Sequence, residues 1–304
     1  MTVMHQAKRT PFQRFFKDPV VFAAWGFFWV ICACLPVDVA SWIGDRLGGL
    51  TYYVMRKKNR VALHNMRKCL PEKSEKEYRV ILKKMWRHFG RMIAEMPHAP
   101  HMASRVEVNN PEYLTQIRDD NVGGFICSAH IGNFELAGVK AKEAGFLMHP
   151  VYRAANNPWV EKYMYQRRRL TPDIRLIPKG LSGARIMVEL LSKKEHIGIL
   201  CDQKMREGIM VPFFGYPAAT APAMAHLALK MKVPVFPARI LRTHGAHYFM
   251  EIENPLEIVD TNDRNADALV IMTELNHRME RWIKECPEQW LWIHRRWPKE
   301  EYTD

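Results

Sequence analysis

A chain of 304 residues with 48% hydrophobic content and nine Trp carries enough apolar side chain for one large core, which excludes a disordered or low-complexity protein. Its net charge of +13, from 45 Lys and Arg against 32 Asp and Glu, favours anionic partners: a phospholipid surface, a phosphorylated substrate, an acidic carrier protein or nucleic acid. Six Cys without a C-x-x-C pair suggest neither a disulfide scaffold nor a zinc site, so a reducing compartment is the simpler setting.

In chain order, residues 1–18 form a basic segment carrying Lys8, Arg9, Arg14 and Lys17. PVVFAAWGFFWVICACLPV, residues 19–37, follows without a charge. As a helix it reaches about 28 Å, against a hydrocarbon core of about 30 Å. Its length, its Trp content and the poor cleavage site at Val39-Ala40-Ser41 favour a retained membrane anchor over a cleaved signal peptide. Arg56, Lys57, Lys58 and Arg60 lie beyond the run, so basic residues flank it on both sides and blunt the positive-inside rule. The amphipathic, aromatic SWIGDRLGGLTYYVM leaves open whether this region crosses the bilayer or lies along its surface. Residues 38–304 read as one catalytic-sized domain that includes interfacial helices.

The positive charge is local, with thirteen basic and three acidic residues from Arg56 to Arg91, and seven basic and one acidic from Lys162 to Arg185. Ser74 and Glu77 have the form of a capping box before a basic helix in which Val80, Ile81, Met85, Phe89 and Met92 recur at helical spacing. Short apolar runs then alternate with helical patterns. The runs are GGFICSA, FLMHPVY, IGILCD, VPVFPARIL and HYFMEIENPLEI; the helices are FELAGVKAKEA, residues 157–170, LSGARIMVELLSKK, PAMAHLALKMK and ADALVIMTELNHRMERWIKE. That alternation predicts an α/β sheet, with Pro222 as a first helical residue and Thr261 as the cap of the last helix.

In such a sheet functional groups gather at the C-terminal tips of strands. SAHIGNFELAG, residues 128–138, puts His130 at one tip and Glu135 five residues later. On one regular helix five residues turn the side chains about 140° apart, so the two meet only if His130 precedes the helix. Gly132 permits a turn, Asn133 suits an N-cap, and Glu135 falls in the first helical turn. A histidine held by a carboxylate is the base-and-orienter half of a Ser-His-Asp system, and no G-x-S-x-G elbow accompanies it. This suits a reaction in which a substrate hydroxyl is the nucleophile, His130 removing its proton while Glu135 holds the ring. Backbone N–H groups of the Gly132-Asn133 turn are candidate oxyanion donors. The spacing alone leaves a loop histidine beside a capping glutamate as the alternative.

Eight ordered blocks carry more: SAHIGNFELAG, VYRAANNP, QRRR, PKGLSGAR, LCDQ, VPFFG, ATAPA and PEQWLWIHRRW. Together they resemble the late acyltransferases of lipid A biosynthesis, the lauroyl and myristoyl transferases of Gram-negative bacteria, over nearly the whole chain. The resemblance implies an αβα sandwich of the glycerol-phosphate-acyltransferase-like type with an N-terminal membrane-anchoring helix. It implies an inner-membrane enzyme, facing the cytoplasm, that moves an acyl group from acyl carrier protein to a hydroxyl of a Kdo-bearing lipid A precursor, with no metal or other cofactor and no nucleic-acid partner. His130 matches the family base and Glu135 its carboxylate partner in the H-x4-D/E motif. The FPEGTR block of glycerol-phosphate acyltransferases is absent, and LCDQKMREG takes its place in order. A lysophospholipid or another glycolipid is the alternative acceptor, and a basic membrane-bound scaffold in which His130 is incidental is the alternative from another class.

Phosphates on such an acceptor call for cationic donors, and Arg153, Arg168 and Lys179, then Arg167 and Arg185, are the candidates, against the plainer reading of a solvated basic surface. Asn133 belongs with them as a substrate-side residue. Asp202, at the tip of IGILCD, positions substrate or a basic neighbour, or serves as a structural cap. His294, Arg295 and Arg296, among Trp290, Trp292 and Trp297, have the composition of a membrane-interface or substrate edge. His64, His88 and His226 lie in helical patterns and read as ordinary surface or core histidines.

Overall fold

The computed structural model describes Thr10 and residues 12–302, so the basic flank at Lys8 and Arg9 lies outside the described residues. A short π-helical turn, Gln13–Lys17, leads into α1 (Asp18–Cys34), followed by α2 (Val37–Val54), α3 (Arg56–Cys69) and α4 (Glu75–Glu95). The apolar run breaks at Leu35, which is extended because the ring of Pro36 disfavours helical geometry in the residue before it. The capping box forms as the sequence predicts: Ser74 accepts from the Glu77 backbone, and the Glu77 side chain accepts from the Ser74 backbone.

Then come β1 (Val106–Asn109), α5 (Glu112–Asp119), β2 (Gly124–Ser128), α6 (Ala137–Glu143), β3 (Met148–Tyr152), α7 (Pro158–Arg168), β4 (Ile177–Pro178), α8 (Leu181–Ser192) and β5 (His196–Leu200). The chain continues through β6 (Ile209–Phe213), β7 (Tyr216–Thr220), α9 (Ala223–Met231), β8 (Val235–His244), β9 (His247–Ile252) and α10 (Arg264–Glu285). One sheet runs β1-β9-β8-β2-β5-β3-β4, parallel at every pairing except β8 with β9. β6 and β7 form a separate antiparallel hairpin.

Alternate residues of β2 feed two cores, as the period of two requires. Phe125 and Cys127 pack with residues of α3, α4, α8, α9 and α10, while Ile126 packs with α5 and α6. The fold is therefore mixed α/β, with helices on both faces of a mainly parallel sheet. Two predicted caps shift. Asp263, not Thr261, caps α10 by accepting from Asn265 and Ala266, while Thr261 donates to Asp267. Pro222 is the residue before α9 rather than its first. The β6/β7 hairpin escapes a sequence reading because Pro212 and Pro217 interrupt its strands.

The N-terminal helices are fused to this body. An added Cβ at Gly44 would stand 2.4 Å from the Gly90 carbonyl oxygen, and one at Gly48 would stand 2.2 Å from that of Trp86, so α2 and α4 cross backbone to backbone. Beside that crossing, buried Asp45 of α2 accepts from Arg87 at 2.6 Å and from Arg91 at 2.9 Å, both on α4.

Candidate active site

β2 and β5 are parallel neighbours with Ser128 opposite Leu200, and continuing that register by two residues brings His130 beside Asp202. Asp202 Oδ1 lies 2.7 Å from His130 Nδ1, and Oδ2 accepts the His130 backbone N–H at 2.9 Å and the Trp290 indole N–H at 2.7 Å. A carboxylate only accepts, so Nδ1 carries the hydrogen and Nε2 carries the lone pair. The Gln203 amide donates to that Nε2 at 3.0 Å. Burial opposes the charge on Asp202, yet the imidazole and the convergent hydrogen bonds hold its carboxyl well below the usual carboxylate range.

Glu135 does not meet His130 as the sequence reading expects. It sits on a 3-10 turn, Phe134–Leu136, because α6 begins only at Ala137. Its carboxylate accepts from Arg168 at the end of α7, Nη2 to Oε1 at 2.7 Å and Nε to Oε2 at 3.3 Å. A two-pronged guanidinium pair outcompetes a single imidazole contact. Glu135 and Arg168 therefore neutralise each other, and the carboxylate on the histidine ring is Asp202, which the sequence left as positioning residue or cap.

The turn between them is also occupied differently. Gly132 has φ +57, and a Cβ there would fall 1.6 Å from the Ile240 carbonyl oxygen, so only glycine fits. Its N–H donates to Gln289 O, and the Asn133 N–H donates to Ile240 O, each at 3.0 Å, which removes both as oxyanion donors. Asn133 makes no side-chain cap; its amide donates to the Tyr248 hydroxyl at 3.2 Å and to Glu95 at 3.4 Å. Glu95 is fully buried and accepts from Arg242 at 2.5 and 3.0 Å and from Tyr248.

His88, read from sequence as ordinary, belongs to the same network. Arg242 Nε donates to its Nδ1 at 3.3 Å, and its Nε2–H donates to the Gly132 carbonyl at 3.1 Å. Burial, reinforced by Arg242, pushes its pKa down to about 3, so the ring is neutral. A histidine inside a basic helix gives no sign of this partnership in sequence.

His130 opens into a cavity of about 950 Å³. Ile126, Met148, Met187, Ile240 and Met250 line it, with Trp29 of α1 completing the apolar wall. Arg153, Arg167, Arg168 and Lys179 also line it, whereas Arg185 lies outside it, exposed on α8. Desolvation and the neighbouring Arg153 lower the Lys179 ammonium. His294 stands with its ring centroid 5.7 Å from that of His130, and burial, then His130, hold it at about 4.

The surrounding tryptophans are core, not a membrane edge: Trp290, Trp292 and Trp297 are all buried. Arg296 is buried with them and donates to Ala219 O at 2.9 Å and Thr220 Oγ1 at 2.7 Å. Among the described residues no group of three His, Cys, Asp or Glu side chains is placed to hold a metal ion.

A buried carboxylate fixing an imidazole, whose second nitrogen faces a lipid-sized apolar cavity lined with cations, has the parts of an enzyme that activates a substrate hydroxyl against an acyl donor. Residues 9–299 match the family described as bacterial lipid A biosynthesis acyltransferase. The chain is 27% identical to a lipid A biosynthesis acyltransferase of Haemophilus influenzae, over 96% of each chain. It is 26% identical to the lipid A biosynthesis lauroyltransferase of Escherichia coli over 89% of each, and 26% identical to the palmitoleoyltransferase of the same organism over 94% of each. The chain belongs to the bacterial lipid A biosynthesis acyltransferase family, and it is an acyltransferase.

Proposed function

We propose that this enzyme moves a fatty acyl group from the thioester of acyl carrier protein to a hydroxyl of a Kdo-bearing lipid A precursor, at the cytoplasmic face of the inner membrane. The observation that carries the mechanism is the His130–Asp202 pair, with Nδ1–H donated to the carboxylate and Nε2 turned to the cavity. Nε2 takes the proton of the acceptor hydroxyl as its oxygen bonds to the thioester carbonyl carbon. The tetrahedral intermediate then expels the pantetheine thiolate, and the imidazolium returns the proton to that sulfur. Asp202 stabilises the imidazolium without itself being protonated.

A hydroxyl bound at Nε2 displaces the Gln203 amide from its present position. That frees an N–H donor beside the point of attack, and we assign it to the oxyanion. Arg153, Arg167 and Lys179 offer charge to the acceptor's phosphates, while Arg168 acts through Glu135 to shape the cavity. The basic surface suits an acidic carrier protein. The histidine at the β2 tip of a layered, mainly parallel sheet fits the glycerol-phosphate-acyltransferase-like type, which we adopt for the fold.

The test offers acyl carrier protein thioesters with a Kdo-bearing precursor or a lysophospholipid to purified enzyme, beside mass spectrometry of lipid A from a strain lacking the gene. Transfer to the precursor, lost in H130A, and lipid A short of one acyl chain are expected. Wild-type rates in H130A would falsify the mechanism, and transfer to the lysophospholipid alone would replace the acceptor.

A further inference from the structure

The helix whose composition suits a membrane span is tied to the domain along its length. At its N-terminal end Asn157 Nδ2 donates to Asp18 O at 2.8 Å, and at its C-terminal end His98 Nε2 donates to Cys32 O at 2.8 Å. Between them Trp25 and Trp29 pack edge-on against Tyr163 of α7, with centroids 5.2 and 5.3 Å apart. The continuous helical run Phe15–Cys34 is 20 residues long, about 30 Å, enough by length and composition to cross a bilayer, but these contacts lay it beside the domain instead of projecting from it. Crossing a bilayer in this arrangement would carry α7, with Glu161, Lys162, Arg167 and Arg168, into hydrocarbon.

The outer face of α1 is apolar and bare, with Val20 67%, Phe27 71% and Val30 59% exposed. α2 is built inside out. It turns Ala40, Ser41, Gly44, Asp45 and Gly48 toward the protein, and presents Val39, Trp42, Leu47, Leu50, Tyr53 and Val54 outward. A helix packed in water buries the opposite face. Cations border the row: Arg46 lies over the Trp42 ring, Lys83 over Tyr53, and exposed Arg56, Lys57 and Lys58 open α3.

We propose that α1 and α2 form one docking face lying in the plane of a single leaflet, its cations on anionic head groups, so that the chain enters the membrane without crossing it. This rests on the membrane location proposed above. A cation-bordered apolar row matches a phospholipid surface, whereas two copies meeting through it would oppose like charges.

The test uses full-length enzyme with a biotin-acceptor tag at each end, in inside-out inner-membrane vesicles probed with streptavidin. Both tags are expected to be reached without detergent. A second measurement places an environment-sensitive fluorophore at L50C in a C34S background, in vesicles containing nitroxide-labelled phospholipids, where quenching by shallow labels is expected. An N-terminal tag reached only after detergent would show a span and overturn the proposal. So would an L50C probe that lipids leave unquenched, as when a second copy covers the row. A chain absent from the vesicles would overturn the membrane location as well.

Discussion

Asp202 Oδ1 lies 2.7 Å from His130 Nδ1, across 72 residues of chain, while Glu135, five residues from His130, is bound to Arg168. The replacement D202N keeps the shape but no longer fixes Nδ1–H. It is expected to lower kcat by about 10²- to 10⁴-fold with KM little changed. Steady-state kinetics with an acyl carrier protein thioester checks this, and a D202N enzyme with the kcat of the wild type would sink the pairing.

E135Q acts through Arg168. It leaves a mostly buried guanidinium without its counter-charge and is expected to cost about 1–3 kcal/mol of stability. kcat is expected to stay close to that of the wild type, because His130 keeps its own carboxylate. Thermal unfolding together with steady-state kinetics separates this outcome from that of D202N, and a loss of kcat in E135Q as deep as that of D202N would restore Glu135 as the orienter.

G132A forces a Cβ into the Ile240 carbonyl at a residue with φ +57. The turn after His130 must then move, and both folded yield and activity are expected to fall sharply. A crystal structure of G132A with that turn unmoved would contradict the close approach.

Q203A removes the amide that bonds Nε2. In the mechanism proposed here kcat falls by about 10²- to 10³-fold with the stability of the fold retained. Unchanged kcat with intact binding would assign the oxyanion elsewhere.

Stability should decline on acidification. The folded pKa of His88 is lowered to about 3 by burial and Arg242, and that of His294 to about 4 by burial and His130. Below the unfolded value of about 6.5 the unfolded chain binds protons that these rings refuse, so stability present above that pH is lost as pH falls. Each ring contributes a slope of about 1.4 kcal/mol per pH unit until its folded pKa is reached. H88Q, whose amide can still donate to Gly132, should flatten the slope between pH 6 and 4, roughly the interval between those values. Chemical denaturation across that range measures it.

His130 was legible because an apolar strand ends just before it, and the capping box at Ser74 is local as well. Asp202 was visible only as an acid at the end of IGILCD. Its partnership depends on β5 lying next to β2, a sheet-order fact that no spacing encodes. Adjacent parallel strands that both end in a polar side chain are the signal that could have paired them. Glu135 misled because nearness in sequence stood in for nearness in space, and its true partner comes from α7. The tryptophans near the end looked interfacial by composition, but burial is set by the α10 and hairpin residues that cover them.

The segment that follows α10 closes the site. Gln289 O takes the Gly132 N–H, Trp290 donates to Asp202, and the Leu291 N–H bonds His130 O. A chain cut short before Gln289 therefore loses the donor that orients Asp202 and both backbone bonds that hold the turn around His130.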